Sequence, residues 1–190
     1  MEKKTFYPDS AEKWRWWLEK NHAQEASVWL IFYKKHTGKP SLTWSEAVDE
    51  ALCFGWIDSV KKTLDEERYI QFFSKRKPNS TWSKINKEKV QELIDNDRMM
   101  PMGYKSIELA QQNGSWSILD EVEALIVPKD LETHFEVHPD AKAFYTHQSK
   151  SIQKQLLSWI VLAKRAETRE KRIAEIVAHA QNGRLPENFR

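Results

Sequence analysis

The segment from residue 41 to residue 86 constrains the fold more than any other part of the chain. Thr43, followed three positions later by Glu46, has the spacing of a capping box, in which the two residues satisfy backbone N–H groups of a first helical turn. Gly55 stands where a glycine in the left-handed conformation would end that helix. The pattern therefore predicts a short helix that is closed by a sharp turn.

Three stretches have the composition of β-strands. Residues 27–34, 56–63 and 68–74 are rich in β-branched and aromatic residues and are bounded by turn residues. We therefore predict an α+β fold, in which a small antiparallel sheet of about three strands packs with helices. The last third of the chain contains only helical patterns. We expect an α+β domain over residues 1–127 and an all-helical C-terminal domain over residues 128–190.

Composition excludes several classes of protein. The 190 residues include a single Cys, so an intramolecular disulfide is excluded and a reducing compartment fits best. No apolar leader or membrane-length apolar run is visible, and we expect a cytoplasmic protein without membrane insertion. The net charge of +2 predicts no general attraction to nucleic acid, although local basic clusters leave that partner open. The six His show no metal-ligand spacing, and we expect neither a metal nor a cofactor.

Four blocks of the sequence resemble one known family. They are LTWSEAVDEALCFGWIDS at 42–59, RKPNSTWSKINKEKV at 76–90, RMMPMGY at 98–104 and AKAFYTHQSKSIQKQLLSWIVLAKRAETREKRI at 141–173. In this order they are similar to the YdeI/OmpD-associated family, whose members are also described as bacteriocin-protection proteins. The resemblance implies a bacterial cytoplasmic protein with links to bacteriocin tolerance or envelope stress. It implies no established reaction, cofactor or catalytic residue.

The basic loop from Lys75 to Thr81, which leads into Ser83, is the strongest candidate for a binding site. A cationic loop at a helix N-terminus can hold an anion, because its Arg and Lys charges add to the helix dipole and to free backbone N–H groups. Trp82 could stack on a ring, and Asn86 could form a hydrogen bond with it. We expect a groove for a small anionic or aromatic ligand, or for a peptide. The candidate residues are Trp56, Asp58, Arg76, Lys77, Trp82, Ser83 and Asn86.

Simpler interpretations compete with this one. Trp82 could be a core residue beside an ordinary helix cap, and Asp58 could be a structural acid that accepts hydrogen bonds from backbone or Trp N–H groups. Helical spacing predicts that Trp44 faces the core and that Glu50 faces solvent. An enzyme with Asp58 or Glu50 as acid/base, acting on an anionic substrate, is one alternative function. An interaction module that binds a protein partner without a pocket is another.

Overall fold

The computed structural model describes residues 4–189, which form an α+β N-terminal unit and a helical C-terminal unit. The N-terminal unit contains β1 (Thr5–Phe6), α1 (Ala11–Asn21), β2 (Ser27–Tyr33), α2 (Trp44–Cys53), β3 (Trp56–Thr63), β4 (Arg68–Lys75), α3 (Lys84–Asp95) and α4 (Pro101–Gln112). The C-terminal unit contains α5 (Asp120–Glu123), α6 (Lys129–Val137), α7 (Pro139–His147), α8 (Lys150–Val161) and α9 (Ala166–Gln181). These elements confirm the predicted fold class.

The two units meet in sequence at Trp116, which ends the first, and Ser117, which begins the second. The domain limits 1–127 and 128–190 stay a prediction. Over residues 4–189, no helix is both long enough and apolar enough to cross a membrane.

The sheet has four strands in the order β1-β2-β4-β3. β2 pairs antiparallel with β4, and β4 pairs antiparallel with β3, so these three are the predicted strands. The two-residue β1 adds a parallel edge beside β2, and a run so short has no periodicity by which to predict it. Trp56 at the start of β3 pairs with Lys75 at the end of β4. The turn after α2 and the basic loop therefore lie at the same end of the sheet.

Aromatic contacts join α1 to one face of the sheet. The Trp14 ring lies 5.6 Å from the Phe73 ring, and the Trp17 ring lies 5.8 Å from the Trp56 ring, between centroids. The indole N–H of Trp14 also donates to the carbonyl of Ala47 in α2 at 3.0 Å. Large aromatic side chains each bury about 150–250 Å², which is worth roughly 4–6 kcal/mol at 25 cal/mol per Å². This packing holds the first residue of β3 in the core.

The start and the end of α2 are as predicted. The Thr43 hydroxyl accepts from the backbone N–H of Glu46 at 3.2 Å, and the Glu46 carboxylate accepts from the backbone N–H of Thr43 at 2.7 Å. The capping box is therefore complete. Gly55 follows the helix with φ of +70°, a backbone conformation that favours glycine because other residues carry a Cβ.

Two side chains of α2 point opposite to the prediction. Trp44, expected in the core, is 47% exposed, and Glu50, expected in solvent, is 2% exposed. The Glu50 carboxylate accepts from Arg15 Nη1 at 2.9 Å and from Arg98 Nη2. These two guanidinium groups arrive from α1 and from the segment before α4, and they replace the water that an ionised buried carboxylate would otherwise require.

The C-terminal unit has its own core and one well-formed ion pair. Its buried residues include Leu131, Phe135, Tyr145, Leu156, Leu157, Ile160, Ile173 and Ile176. Arg169 of α9 donates from Nε at 2.6 Å and from Nη2 at 2.9 Å to the two carboxylate oxygens of Asp130 in α6. The hydrogen bonds from this guanidinium lower the pKa of the Asp130 carboxyl. The two-point geometry ties α9 to α6.

Replacing Glu50 by Gln should destabilise the N-terminal unit. The substitution removes the charge that two arginines hold in a buried position, and we expect the free energy of unfolding to fall by about 2 kcal/mol. Denaturant unfolding followed by Trp fluorescence measures this unit, since eight of the nine Trp precede residue 117. Glu92→Gln, at an exposed position of α3, is the control and should be neutral. Equal effects of the two substitutions would contradict the structural role of Glu50.

Replacing Tyr145 by Phe should leave the C-terminal unit as stable or more stable. The Tyr145 hydroxyl is buried without a hydrogen-bond partner, and burial raises its pKa to about 12. Removing an unsatisfied hydroxyl while keeping the ring should change the free energy of unfolding by about 0 to +1 kcal/mol. Calorimetric unfolding measures this, with Phe135→Leu as a destabilising core control. A clear loss of stability in Tyr145→Phe would mean that the hydroxyl has a partner.

Candidate functional site

A cavity of about 130 Å³ lies between the end of α2, the start of β3, the basic loop and α4. Its apolar wall is formed by Phe54, Trp56, Pro78, Met102 and Leu109, and its polar wall by His22, Lys75, Arg76, Lys77, Lys105 and Ser106. All of these residues belong to the N-terminal unit. Apolar protein cavities of about 150 Å³ admit benzene, so this one is of the size that a single ring or a compact branched chain occupies.

A close approach of two backbones creates this cavity. The backbone N–H of Met100 donates to the carbonyl of Cys53 at 3.1 Å. A Cβ on Gly103 would lie 2.4 Å from that same carbonyl oxygen, and a Cβ on Gly55 would lie 2.8 Å from the carbonyl oxygen of Met102. Both positions therefore exclude a side chain. The contact places the first turn of α4 against the turn that follows α2.

The basic loop is anchored at its start and in its middle. The backbone N–H of Lys75 donates to the carbonyl of Ala26 at 3.1 Å, and that of Arg76 donates to the carbonyl of Gly55 at 2.9 Å. In the middle, the side-chain amide of Asn113 donates to the carbonyl of Pro78 at 2.9 Å. The loop therefore has a defined position between the sheet and the C-terminal end of α4.

Arg76 is a partly buried cation with incomplete hydrogen bonding. Its Cζ lies 3.6 Å from the centroid of the Trp82 ring, and its Nη2 donates to the carbonyl of Thr81. Its Nε and Nη1 are buried and have no hydrogen-bond partner. Burial lowers the pKa of the guanidinium to about 10, although the nearby Asp58 carboxylate opposes this shift. Arg76 therefore stays protonated at neutral pH.

The indole N–H of Trp56 is also buried without a partner. Over residues 4–189, three of the four buried side-chain polar atoms without a partner belong to Trp56 and Arg76, and both residues line the cavity. Each unsatisfied buried donor costs on the order of 1–3 kcal/mol. All three atoms are donors, so a group that satisfied them would have to bring acceptors.

The rim of the cavity is positively charged. Lys77 and Lys105 are exposed, and within the described part of the chain neither ammonium has an ion-pair or hydrogen-bond partner. The Lys75 ammonium donates to the carbonyl of Ala23 at 2.6 Å. No Asp or Glu belongs to the wall. The cations therefore lie beside an apolar surface without a carboxylate in the wall to neutralise them.

The cavity brings together three of the seven predicted site residues. Trp56, Arg76 and Lys77 line it, and Ser83 and Asn86 do not. Ser83 caps α3 by accepting from the backbone N–H of Asn86 at 3.3 Å. The loop thus contributes its first residues to the cavity, and the cap at its end belongs to the helix.

Asp58 and Trp82 also lie outside the cavity wall. One carboxylate oxygen of Asp58, Oδ2, accepts from Trp44 Nε1 and from Gln71 Nε2, each at 2.8 Å. Trp82 is 1% exposed, so its ring supports the guanidinium of Arg76 from the core and does not face solvent.

The part of the wall that α4 and the end of α1 contribute was not predicted from the sequence. Met102, Lys105 and Leu109 recur along one side of α4, and His22 follows α1. The available signal was Gly103, because an isolated glycine inside a helical pattern often marks a close packing contact. Periodicity alone gives no indication that this surface faces a cavity.

The two acids proposed for catalysis and the single Cys have other contacts or are buried. Glu50 is engaged by Arg15 and Arg98, and Asp58 by Trp44 and Gln71. Cys53 is buried, and burial, with a contribution from Glu50, raises the pKa of its thiol. Among the described residues, no group of three or more His, Cys, Asp or Glu side chains could hold a metal ion.

Replacing Gly103 by Ala should destabilise the protein, although Ala is normally the better helix former by about 1 kcal/mol. The new methyl group would meet the Cys53 carbonyl and would separate α2 from α4, and we expect a loss of about 2 kcal/mol or more. Trp fluorescence during denaturant unfolding measures the change. Gly38→Ala is the control, because open space surrounds that position and only its φ of +64° opposes the substitution. Gly103→Ala should be the more damaging, and a stabilised variant would contradict the contact.

Comparison with known proteins divides the chain in the same way as its fold. Residues 6–106, more than half of the chain, match the family described as "Domain of unknown function (DUF8412)". Residues 124–183 match the family described as "Bacteriocin-protection, YdeI or OmpD-Associated", which confirms the resemblance found in the sequence. No curated protein and no solved structure matches the chain. The chain therefore belongs to the family described as "Domain of unknown function (DUF8412)", and residues 124–183 of its helical C-terminal unit match the bacteriocin-protection, YdeI or OmpD-associated family.

Proposed function

We propose that the N-terminal unit binds a small ligand that carries an anionic group on an apolar or aromatic body, and that the cavity beside Arg76 is its site. One observation carries the proposal: the wall combines unsatisfied N–H donors and unpaired cations with an apolar surface and contains no acid. A protein interior seldom leaves donors unsatisfied, and such groups often have a functional explanation.

The energetics of the site favour this class of ligand. An apolar body placed against Phe54, Met102 and Leu109 gains about 25 cal/mol for each Å² of apolar surface removed from water. An anion near Lys77 and Lys105 gains Coulomb energy, which is modest because both ammonium groups are exposed. Interaction with Arg76 is stronger because that cation is largely screened from water. A ligand with an apolar body and an anionic group would contact both the apolar and the polar wall.

The wall supports binding over the two alternatives considered from the sequence. An acid/base enzyme needs a carboxylate that can reach the substrate, and neither Asp58 nor Glu50 belongs to the wall. An interaction module without a pocket would have no use for unsatisfied donors beside a cavity. A peptide remains within the proposal, since the side chain or terminus of a peptide can supply the same anionic and apolar groups.

We further propose that the cavity serves the protective role that the family description names. The C-terminal unit matches a family described as bacteriocin-protection, and ligand binding in the N-terminal unit would then be the input to that role. We propose the cytoplasm as its compartment, since the single Cys is buried as a free thiol. A bacteriocin-sensitivity assay on a deletion strain complemented with cavity variants tests this link separately from binding.

Loss of the rim charges should weaken binding. Compounds with one anionic group and one aromatic ring should raise the melting temperature of the protein, and titration calorimetry should then give their affinity. We expect Lys77→Gln with Lys105→Gln to lower that affinity about 5- to 10-fold, with a weaker dependence on salt than the natural protein shows. Lys164→Gln with Lys171→Gln removes two exposed charges from the C-terminal unit and should have no effect.

Two outcomes would contradict the proposal. In the first, no anionic compound in the library stabilises the protein or gives heat on titration. In the second, compounds bind, but the two double variants have the same affinity, which would place the binding site away from the rim of the cavity.

A further inference from the structure

Two residues of the cavity wall hold a small set of buried donors without a partner. They are the indole N–H of Trp56 and the Nε and Nη1 groups of Arg76, all buried and without a partner. Trp56 is 1% exposed. The two residues are held together because the backbone N–H of Arg76 donates to the carbonyl of Gly55, which directly precedes Trp56. The backbones of the two residues therefore lie side by side at the cavity.

The backbone at the cavity provides no further donors from the turn or from the start of the loop. The N–H groups of Phe54 and Gly55 donate to carbonyls of α2, each at 3.1 Å, and those of Lys75 and Arg76 donate to Ala26 and Gly55. A phosphate group is normally held by several free backbone N–H groups in a nest or a glycine-rich loop. The N–H groups of this turn and of the first two loop residues form no such nest, so the buried side-chain donors favour an anion with fewer oxygens.

The size of the cavity limits the rest of the ligand. About 130 Å³ is enough for a single ring or a branched aliphatic chain, and the rest of any larger ligand would lie outside the cavity. Phe54, Pro78, Met102 and Leu109 form a wall that suits such a body. An indole N–H or a guanidinium inside an apolar cavity is also matched best by a group that accepts hydrogen bonds and donates none.

We infer that the ligand is a carboxylate on a compact apolar body, and that the Trp56 indole N–H and the Arg76 guanidinium bind its two oxygens inside the cavity. This inference rests on the proposed function and narrows it to one chemical class. The carboxylate can belong to a free small acid or to the C-terminal residue of a peptide. In both cases the exposed Lys77 and Lys105 attract the anion to the rim, and the two interior residues orient it.

The test compares matched probes on the full chain. Phenylacetate and benzoate represent free acids, and the tripeptide Ala-Ala-Phe with a free C-terminus represents a peptide. Phenylacetamide and the amidated tripeptide keep the shape and lack the charge, and phenyl phosphate carries the other common anion. Calorimetry gives the affinities. In a ¹⁵N-labelled sample, the Trp56 indole N–H resonance, assigned by its absence in Trp56→Phe, reports contact with the bound oxygen.

We expect the carboxylates to bind at least 10-fold more tightly than their amides and more tightly than phenyl phosphate. They should also shift the Trp56 indole resonance, with a saturation curve that gives the same affinity as calorimetry. Trp56→Phe, which removes the N–H and keeps an aromatic ring, should weaken carboxylate binding about 10-fold. Trp44→Phe removes an exposed indole N–H that donates to Asp58 and should leave the affinity unchanged. Tighter binding of the free acids or of the tripeptide identifies which source of carboxylate fits the site.

Three results would overturn the inference. If phenyl phosphate binds and the carboxylates do not, the site takes a different anion, although the proposed function survives. If the carboxylates bind without moving the Trp56 resonance, they are held elsewhere, and this result does not depend on the folding of any variant. If no probe of either class binds, the inference and the proposed function fail together.

Discussion

The direct backbone contact between α2 and α4 is the constraint on which the N-terminal unit depends. The Cys53 carbonyl accepts from the N–H of Met100 and lies against Gly103, so the two helices cannot separate without losing a hydrogen bond, and α4 cannot carry a side chain at position 103. With the two helices in contact, the chain must leave α2 through a tight turn, and Gly55 adopts a positive φ to do so. The cavity is the space left between that turn and the exposed side of α4.

Much of this arrangement could be predicted because it depends on residues close together in the sequence. The capping box of Thr43 and Glu46, the left-handed Gly55 and the cap at Ser83 each involve contacts within four positions. The strand β3 has the same bounds in the structure as in the sequence pattern, 56–63. Such features need no knowledge of distant partners. They were sufficient to bring Trp56 and the basic loop to the same end of a sheet.

The features that could not be predicted depend on partners far away in the sequence. Glu50 is buried because Arg15, 35 positions earlier, and Arg98, 48 positions later, satisfy its carboxylate. Trp44 faces outward because Asp58, 14 positions later, accepts its indole N–H. Helical periodicity assigns residues to the core or to the surface by their own polarity alone. It therefore cannot predict a buried carboxylate that distant arginines stabilise, or an exposed Trp whose indole N–H has a distant acceptor. The α4 wall of the cavity was missed for the same reason.

These long-range contacts also explain how the cavity keeps an unneutralised cation. Asp58 is close enough to favour the charged form of Arg76, yet its Oδ2 is engaged by Trp44 and Gln71, and it makes no direct ion pair with the guanidinium. The Trp82 ring supports one face of Arg76 through a cation–π contact, which offsets part of the cost of burial without supplying an acceptor. A direct carboxylate partner would stabilise the empty protein and would compete with any anionic ligand. Instead, an aromatic ring and a more distant carboxylate offset the cost of burying the guanidinium. Its remaining N–H donors are therefore available to a ligand.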